Sequence, residues 1–296
     1  MNETKKKPMI VAGIDFSDSS PVVLRHALHA ASACGGSVVA VHVLDKSMRE
    51  HREASGHGNP GFEALREQAE SRFARLPGVK DGTVDLSFTV SIGKPAVEMA
   101  ALAADLGADF LVIAANDLTK KRLGSVAARC LRMAPCDVLV LRDWQGGDFR
   151  KIVVCTDFSA TADRAIRRAA AMAGRSGAAL EIVNVIFPPG LDSWGGVLEH
   201  AADAPESYEE ECRAAAKARM AACLKKHSAI LEGVRHEAVI LESEMPSVKI
   251  TGHVSSCGAD LVVMGTHGQS PIMSHFIGTN AERLIQDAPV SVFAVR

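Results

Sequence analysis

The sequence predicts an α/β protein of two tandem domains, each an open five-stranded parallel sheet with helices on both faces. The first observation behind this is a repeat. Ile10-Val-Ala-Gly-Ile-Asp15-Phe-Ser17 returns as Ile152-Val-Val-Cys-Thr-Asp157-Phe-Ser159, and Gly107-Ala-Asp-Phe-Leu-Val-Ile113 returns as Gly258-Ala-Asp-Leu-Val-Val-Met264. Ala134-Pro-Cys-Asp-Val-Leu-Val-Leu-Arg142 matches Ala288-Pro-Val-Ser-Val-Phe-Ala-Val-Arg296. The spacing between partners widens along the chain, which puts nine extra residues of the second repeat between its first and fourth strands and three more in the loop after the fourth. The second observation is alternation. Short apolar runs rich in β-branched residues alternate with stretches of helical period, the pattern of strands joined by helical crossovers.

Each repeat reads as strand, helix, strand, long loop and helix, strand, helix, strand, helix, strand. The opening strands, from Ile10 and from Ile152, are near-continuous apolar runs, as expected where both faces of a sheet are covered. Ser17 to Ser20 and Ser159 to Thr161 supply helix starts. In the second repeat Ala162, Ala165, Ile166, Ala169, Ala170 and Ala173 then form a stripe at helical spacing, small enough to let helix and sheet approach closely. Met48 to Gly61, rich in charge, His and Gly, and Phe187 to Pro205, rich in Pro, Gly and Ala, read as surface excursions. His51 and His57 lack the spaced Cys or acidic partners of a metal site. The closing strands, Val138 to Leu141 and Val290 to Val295, read as alternating with exposed positions. The polar, glycine-bearing Asp143-Trp-Gln-Gly-Gly-Asp148 separates a domain of residues 1–145 from one of residues 149–296.

Composition narrows the function classes. A hydrophobic content of 47% with 23% charged residues is that of a soluble globular protein, and 4% aromatics leaves the core to Ala, Val, Leu and Ile. A net charge of −2 argues against a nucleic-acid groove. No apolar run approaches membrane-spanning length, and the basic Met1-Asn-Glu-Thr-Lys-Lys-Lys-Pro8 is followed by no secretory pattern, so a cytoplasmic location is expected. The seven cysteines, in positions 34, 130, 136, 155, 212, 223 and 257, show no zinc or Cys-x-x-Cys spacing and mostly read as buried small hydrophobes.

The chemistry concentrates after the fourth strand of the second repeat. There Gly265-Thr-His-Gly268, nine further residues and Gly278-Thr279-Asn280 lead into the helical pattern from Ala281 to Asp287. Glycines let a phosphate approach backbone N–H groups that a Cβ would shield. The first N–H groups and the dipole of a helix opening at Gly278 favour an anion. Two structural readings stand beside this one: Thr279 with Glu282 has capping-box spacing, and any single glycine can serve a turn.

Gly-x2-Gly-x9-Gly-(Ser/Thr) after a strand ending in Val-Met resembles the nucleotide-binding signature of the ATP-binding universal stress proteins, and the match is complete from Gly265 to Thr279. The resemblance implies tandem flavodoxin-like or Rossmann-like domains of strand order 3-2-1-4-5, with a ligand crevice between the first and fourth strands. It implies an adenine nucleotide, ATP foremost, held by Thr156, Asp157, Val185, Met264, Gly265, His267, Gly268, Gly278, Thr279 and Asn280. In that set Asp157 touches ribose or helps to hold Mg²⁺, with capping of the following turn or helix as its structural alternative. Val185 offers backbone groups to adenine, and His267 acts mainly through its backbone and not as a catalytic base. His275 reads as an exposed side chain. Ala281 stands where several family members carry a hydroxyl, which removes one phosphate contact.

The matching site of the first repeat looks dismantled. Ala114 falls where Gly265 stands, Asp117 where Gly268 stands, and the loop before Gly124-Ser125 is three residues shorter. A carboxylate there repels phosphate oxygens. Asp15 and Gly124-Ser125 remain as strand-end and helix-start chemistry, and Lys120, Lys121 and Arg122 read as a solvated loop, so one nucleotide per chain is expected. No catalytic residue is expected. The chain has no Walker-type or Ser-Gly-Gly-x-Asp-Ser loop, and no Lys or Arg stands between Gly265 and Gly278 to offset phosphoryl charge. The resemblance implies a regulatory stress-response role, an intramolecular pseudo-dimer of the two domains and assembly into a homodimer. Slow ATP hydrolysis and a nucleotide-independent interaction module are the alternatives.

Overall fold

The computed structural model describes residues 7–45, 61–115, 123–144, 146–187, 206–267 and 278–296. The expectations on His51, His57, Asp117, Lys120, Lys121, Arg122, Gly268 and His275 lie outside these residues. Two compact units emerge: Met1–Gly147 with Ser291–Ala294 and Arg296, and Asp148–Val290 with Val295.

In the first unit the order is β1 (Met9–Gly13), α1 (Ser20–Cys34), β2 (Ser37–Leu44), α2 (Phe62–Phe73), β3 (Asp85–Ile92), α3 (Pro95–Leu106), β4 (Phe110–Ala114), α4 (Ser125–Met133) and β5 (Asp137–Leu141). The second repeat runs β6 (Lys151–Cys155), α5 (Ala160–Ser176), β7 (Ala179–Ile186), α6 (Glu206–Lys226), α7 (Ser228–Leu231), β8 (His236–Glu242), α8 (Pro246–Cys257), β9 (Leu261–Gly265), α9 (Thr279–Asp287) and β10 (Ser291–Val295). The first unit pairs its strands in the order β3-β2-β1-β4-β5, all parallel, as expected. In the second, β8-β7-β6-β9 repeats the first four places of that order, again parallel.

Local chemistry sets the element ends. The helices α3 and α8 each begin at a proline, whose fixed φ suits the first turn and whose missing N–H is not needed there. They stop at Gly107 (φ 56°) and Gly258 (φ 71°), in the left-handed region that glycine enters without steric cost. Ser159 caps α5, its Oγ accepting the Ala162 N–H at 3.1 Å. The six-residue stripe of α5 is buried as expected, with no member more than 3% exposed. It lies against β6 and β9, whose central residues Ile152, Val153, Val154, Leu261, Val262 and Val263 are fully buried.

The closing strands differ from expectation. β5 and β10 are buried at all five positions each and show no alternation with exposed residues. They pair antiparallel with one another, Val292 opposite Val140, Phe293 opposite Leu139 and Ala294 opposite Val138, so neither is a free edge on that side, and both faces of each are covered. Ser291–Ala294 therefore counts with the first unit although it closes the second repeat. Arg296 extends this tie: its N–H donates to Asp137 Oδ1 at 3.0 Å and its guanidinium donates to the carbonyls of Leu131 and Arg132 at the end of α4. The seven cysteines are free thiols, three buried and four half-buried. Among the described residues no helix is long and apolar enough to cross a membrane.

Candidate functional site

In the second unit β6 pairs with β7 on one side and β9 on the other, so the crossovers leave β6 in opposite directions and a crevice opens beyond the carboxyl ends. A cleft of about 320 Å³ lies there. Thr156, Asp157, Val185, Met264, Gly265, His267 and Gly278 all line it. Thr279 and Asn280 open α9 beside it, while Gly268 lies outside the described residues.

The β6-to-α5 turn is tight. Phe158 takes φ 64°, uncommon for a bulky residue, and the Arg219 guanidinium lies 4.6 Å over its ring. Thr156 is buried, and its hydroxyl oxygen accepts the Phe158 N–H at 3.0 Å. Asp157 is exposed; its Oδ1 accepts the Ser159 N–H at 3.0 Å, so it serves the turn while also facing the cleft. The walls are apolar: Met264, Ala281, Leu284 and Ile250 are all buried. Cys155 also lines the cleft, but burial pushes its thiol up to about 12, which keeps it protonated and unreactive.

The two described glycines of the motif have different reasons to be glycine. A Cβ at Gly265 would come 2.8 Å from Thr161 Cγ2 and 3.2 Å from the Thr161 backbone carbon, so packing against α5 already demands glycine. At Gly278 a Cβ would meet no described atom within 4 Å, and its φ of −59° and ψ of 143° suit any residue. Neither packing nor backbone geometry among the described residues calls for glycine at 278. Its N–H donates to the Thr266 carbonyl at 3.1 Å, and its own carbonyl accepts the Glu282 N–H at 2.9 Å. The N-cap is thus Gly278, which places Thr279 inside the first turn, so the Thr279–Glu282 capping box is not the device used here. As at any helix start, the N–H groups ahead of Glu282 have no intrahelical acceptor. Thr266 turns away from the cleft to Val295, while its hydroxyl meets His267 Nδ1 at 2.9 Å.

Asn184 was missed by sequence reasoning. It sits on β7 beside Val185, is 6% exposed and lines the cleft. Its Nδ2 donates to the Thr156 carbonyl at 2.7 Å, and among the described residues its Oδ1 has no partner. The available signal was a lone polar residue in the apolar run Ile182-Val-Asn-Val-Ile186, matched in the first repeat by His42.

Metal-ligand geometry within the described residues gathers elsewhere, in Asp163, Cys223 and His227 and in Glu181, His253 and Cys257; Asp157 belongs to neither group. Both carboxylates are already engaged. Asp163 meets Lys226 and, at 2.8 Å, His227 Nε2, while Glu181 meets Lys151 and, at 2.6 Å, His253 Nε2. Burial works to raise both carboxyls, but the hydrogen bonds they accept, from Lys226 and His227 and from Lys151 and His253, outweigh it and each titrates below its ordinary value.

The matching crevice of the first unit encloses about 140 Å³. Asp15 there accepts from the Ser17 N–H (2.9 Å) and from the hydroxyls of Ser17 (2.5 Å) and Ser20 (2.9 Å). Partial desolvation opposes these bonds, which prevail and hold the carboxyl below its usual range. His42 Nδ1 bonds the Ile14 carbonyl at 2.7 Å, as Asn184 does that of Thr156.

Comparison with known proteins places these features. The model of the universal stress protein family matches twice, over residues 9–142 and 148–296. A universal stress protein of Thermus aquaticus is 32% identical over 149 residues, covering 50% of this chain and 99% of its own. One from Methanocaldococcus jannaschii is 29% identical over 137 residues, 45% of this chain and 81% of its own. The crystal structure of a universal stress protein from Archaeoglobus fulgidus shares the fold across 97% of this chain and 96% of its own, with a TM-score of 0.66 at 20% identity. A functionally unknown protein from Pseudomonas aeruginosa PAO1 does so across 98% and 92%, with a TM-score of 0.67 at 17% identity.

Proposed function

The chain belongs to the universal stress protein family, and from that premise we propose that it is a regulatory protein holding one adenine nucleotide, ATP foremost, in its second unit. The observation that carries this reading is Gly278. It stands on the cleft wall at the start of α9, and its missing Cβ answers no demand of packing or backbone among the described residues. A ligand at the N–H groups of Thr279, Asn280 and Ala281 supplies the demand: phosphate oxygens accept from them, and the helix dipole favours the charge.

The other residues divide the remaining tasks. Met264, Ile250 and Leu284 offer apolar surface to the base, and Val185 offers backbone groups at its edge. Asp157, exposed at the end of β6, takes a ribose hydroxyl or a Mg²⁺ that accompanies the phosphates. His267 and Gly268 complete the phosphate loop with Gly265. Of the cleft's described groups, the Cys155 thiol is protonated and the Thr156 hydroxyl oxygen already serves the turn. In this reading binding acts by shifting conformational populations, to the extent that the nucleotide favours one state. A cytoplasmic location and pairing of the two repeats as an internal dimer belong to the same proposal. Both edges of β5 are occupied, by β4 and by β10, so a second copy of the chain would have to dock elsewhere.

The test is direct. Freshly purified protein is denatured, the released small molecules are separated by chromatography, and adenine nucleotide is quantified per chain beside Gly278→Asp. One nucleotide per chain, absent from the variant, is the expected result. No release, and no binding on titration with Mg²⁺ present, overturns the reading and leaves the interaction module in its place.

A further inference from the structure

Asn184 carries an inference that rests on the nucleotide reading and sharpens it. The side chain is held by its amide nitrogen, which donates to the Thr156 carbonyl at 2.7 Å. A carbonyl cannot donate, so this bond settles which end of the carboxamide is which: Nδ2 faces Thr156 and Oδ1 is the remaining end. That oxygen is buried, without a partner among the described residues, on a side chain that is 6% exposed and lines the cleft. A buried acceptor left unsatisfied is costly. The Thr156 N–H goes to the Val183 carbonyl.

The first unit supplies an internal control. His42 occupies the same place on β2, and its Nδ1 bonds the Ile14 carbonyl at the same 2.7 Å. Holding the ends of the first and second strands together is therefore a task that either His or Asn performs. Carrying an acceptor at the position of Oδ1 is not part of that task, and it appears in the unit whose cleft is the larger of the two.

We infer that Asn184 is a specificity-determining residue of the nucleotide site, its Oδ1 accepting a hydrogen bond from an N–H or O–H donor on the base or sugar of the ligand. Adenosine offers both kinds of donor, the exocyclic amine at C6 and the ribose hydroxyls. An oxygen-bearing base such as hypoxanthine presents an acceptor where adenine presents the amine, and two facing acceptors repel.

The experiment compares calorimetric titrations of the native full chain and Asn184→His with ATP, inosine triphosphate, 2′-deoxyATP and 3′-deoxyATP, and measures ligand-free melting of both proteins. Asn184→His retains a donor to the Thr156 carbonyl, as His42 does for Ile14, and removes Oδ1. Its ligand-free melting temperature is expected to stay near that of the native chain while its ATP affinity falls about tenfold, the worth of one buried hydrogen bond. The native chain is expected to lose a comparable factor with one analogue, inosine triphosphate if the donor is the amine or a deoxy form if it is a hydroxyl, and Asn184→His to show no such preference. Equal ATP affinity in the two proteins, or equal analogue discrimination in both, overturns the inference and leaves the nucleotide reading standing. Failure of the native chain to bind any adenine nucleotide overturns both, so the two failures are told apart by the native titration alone.

Discussion

The two crevices begin from one design and part at a few side chains. Both lie after a strand that ends in Asp-Phe-Ser, with the Phe at positive φ: 61° for Phe16 and 64° for Phe158. In the first unit Ser20 points its hydroxyl at Asp15, whereas in the second Ala162 stands at that place. In the first unit Ala114 is the last residue of the fourth strand and Ser19 is the counterpart of Thr161 in the repeat; in the second Gly265 ends that strand beside Thr161, whose methyl would meet an added Cβ at 2.8 Å. The volumes follow, about 140 Å³ against about 320 Å³. What the difference teaches is how the same carboxylate can be taken up by its own fold: Asp15 is satisfied by hydroxyls of its own domain.

The strongest way to break the comparison is charge at the two matched helix starts. Gly278→Asp is expected to weaken ATP binding by at least about 100-fold, through repulsion of phosphate at the start of α9. Gly124→Asp at the start of α4 is expected to leave binding unchanged, both by calorimetry. Equal losses would mean that the first unit binds too. Next in size is packing. Gly265→Ala should cost about 1–3 kcal/mol of stability in ligand-free thermal melts, the usual penalty of overpacking. Thr161→Ser in the same chain should recover most of it, because it removes the methyl that clashes and gives the two positions the residues they have in the first repeat, Ala114 and Ser19. If the double variant melts no higher than the single one, the clash is not the reason for glycine there.

A smaller effect is expected on moving the first unit's hydroxyl into the second. Ala162→Ser should lower Mg²⁺-ATP affinity by about three- to tenfold, less than 1.4 kcal/mol, by occupying Asp157 as Ser20 occupies Asp15. An unchanged affinity would show that Asp157 takes no part in binding. The last contrast is one of order more than of magnitude. Asp163 and Glu181 are buried in the second unit, where the first unit has Pro21 and Val39. Both carboxyls titrate below their ordinary values of 3.8 and 4.5 in the folded chain, so their contribution is complete above those values and is lost as pH falls through the lowered ones. Asp15 is lowered as well, but at the surface. Hydrogen exchange followed below about pH 4 should therefore show the second unit opening before the first. Simultaneous opening would count against these two ion networks as the acid-sensitive part.

Most of the fold was legible because its causes are local or periodic. The repeat, the apolar runs of β1 and β6, the alanine stripe of α5 and the prolines and glycines at helix ends each act within a few residues. β5 and β10 were not read correctly: a strand paired to an antiparallel partner some 150 positions away carries no mark of that partner in its own sequence. At the site, the sequence pointed to Gly265 and Gly278 alike, and only the position of Thr161 separates a packing glycine from one without a packing contact among the described residues. Asn184 was overlooked because its importance lies in one unpartnered oxygen, which depends on the rotamer that Nδ2 adopts toward Thr156.

The exchange of β10 also bears on how the molecule is made. Ser291–Ala294 pairs with β5 in the first unit, and Arg296 reaches back to the carbonyls that end α4. While a ribosome is still synthesising the second repeat, that side of β5 has no partner within the chain, although every residue the first four strands need has already emerged. For that interval an apolar strand presents an open hydrogen-bonding edge to whatever is nearby, including another nascent copy. Completion of the first unit thus waits for the synthesis of β10.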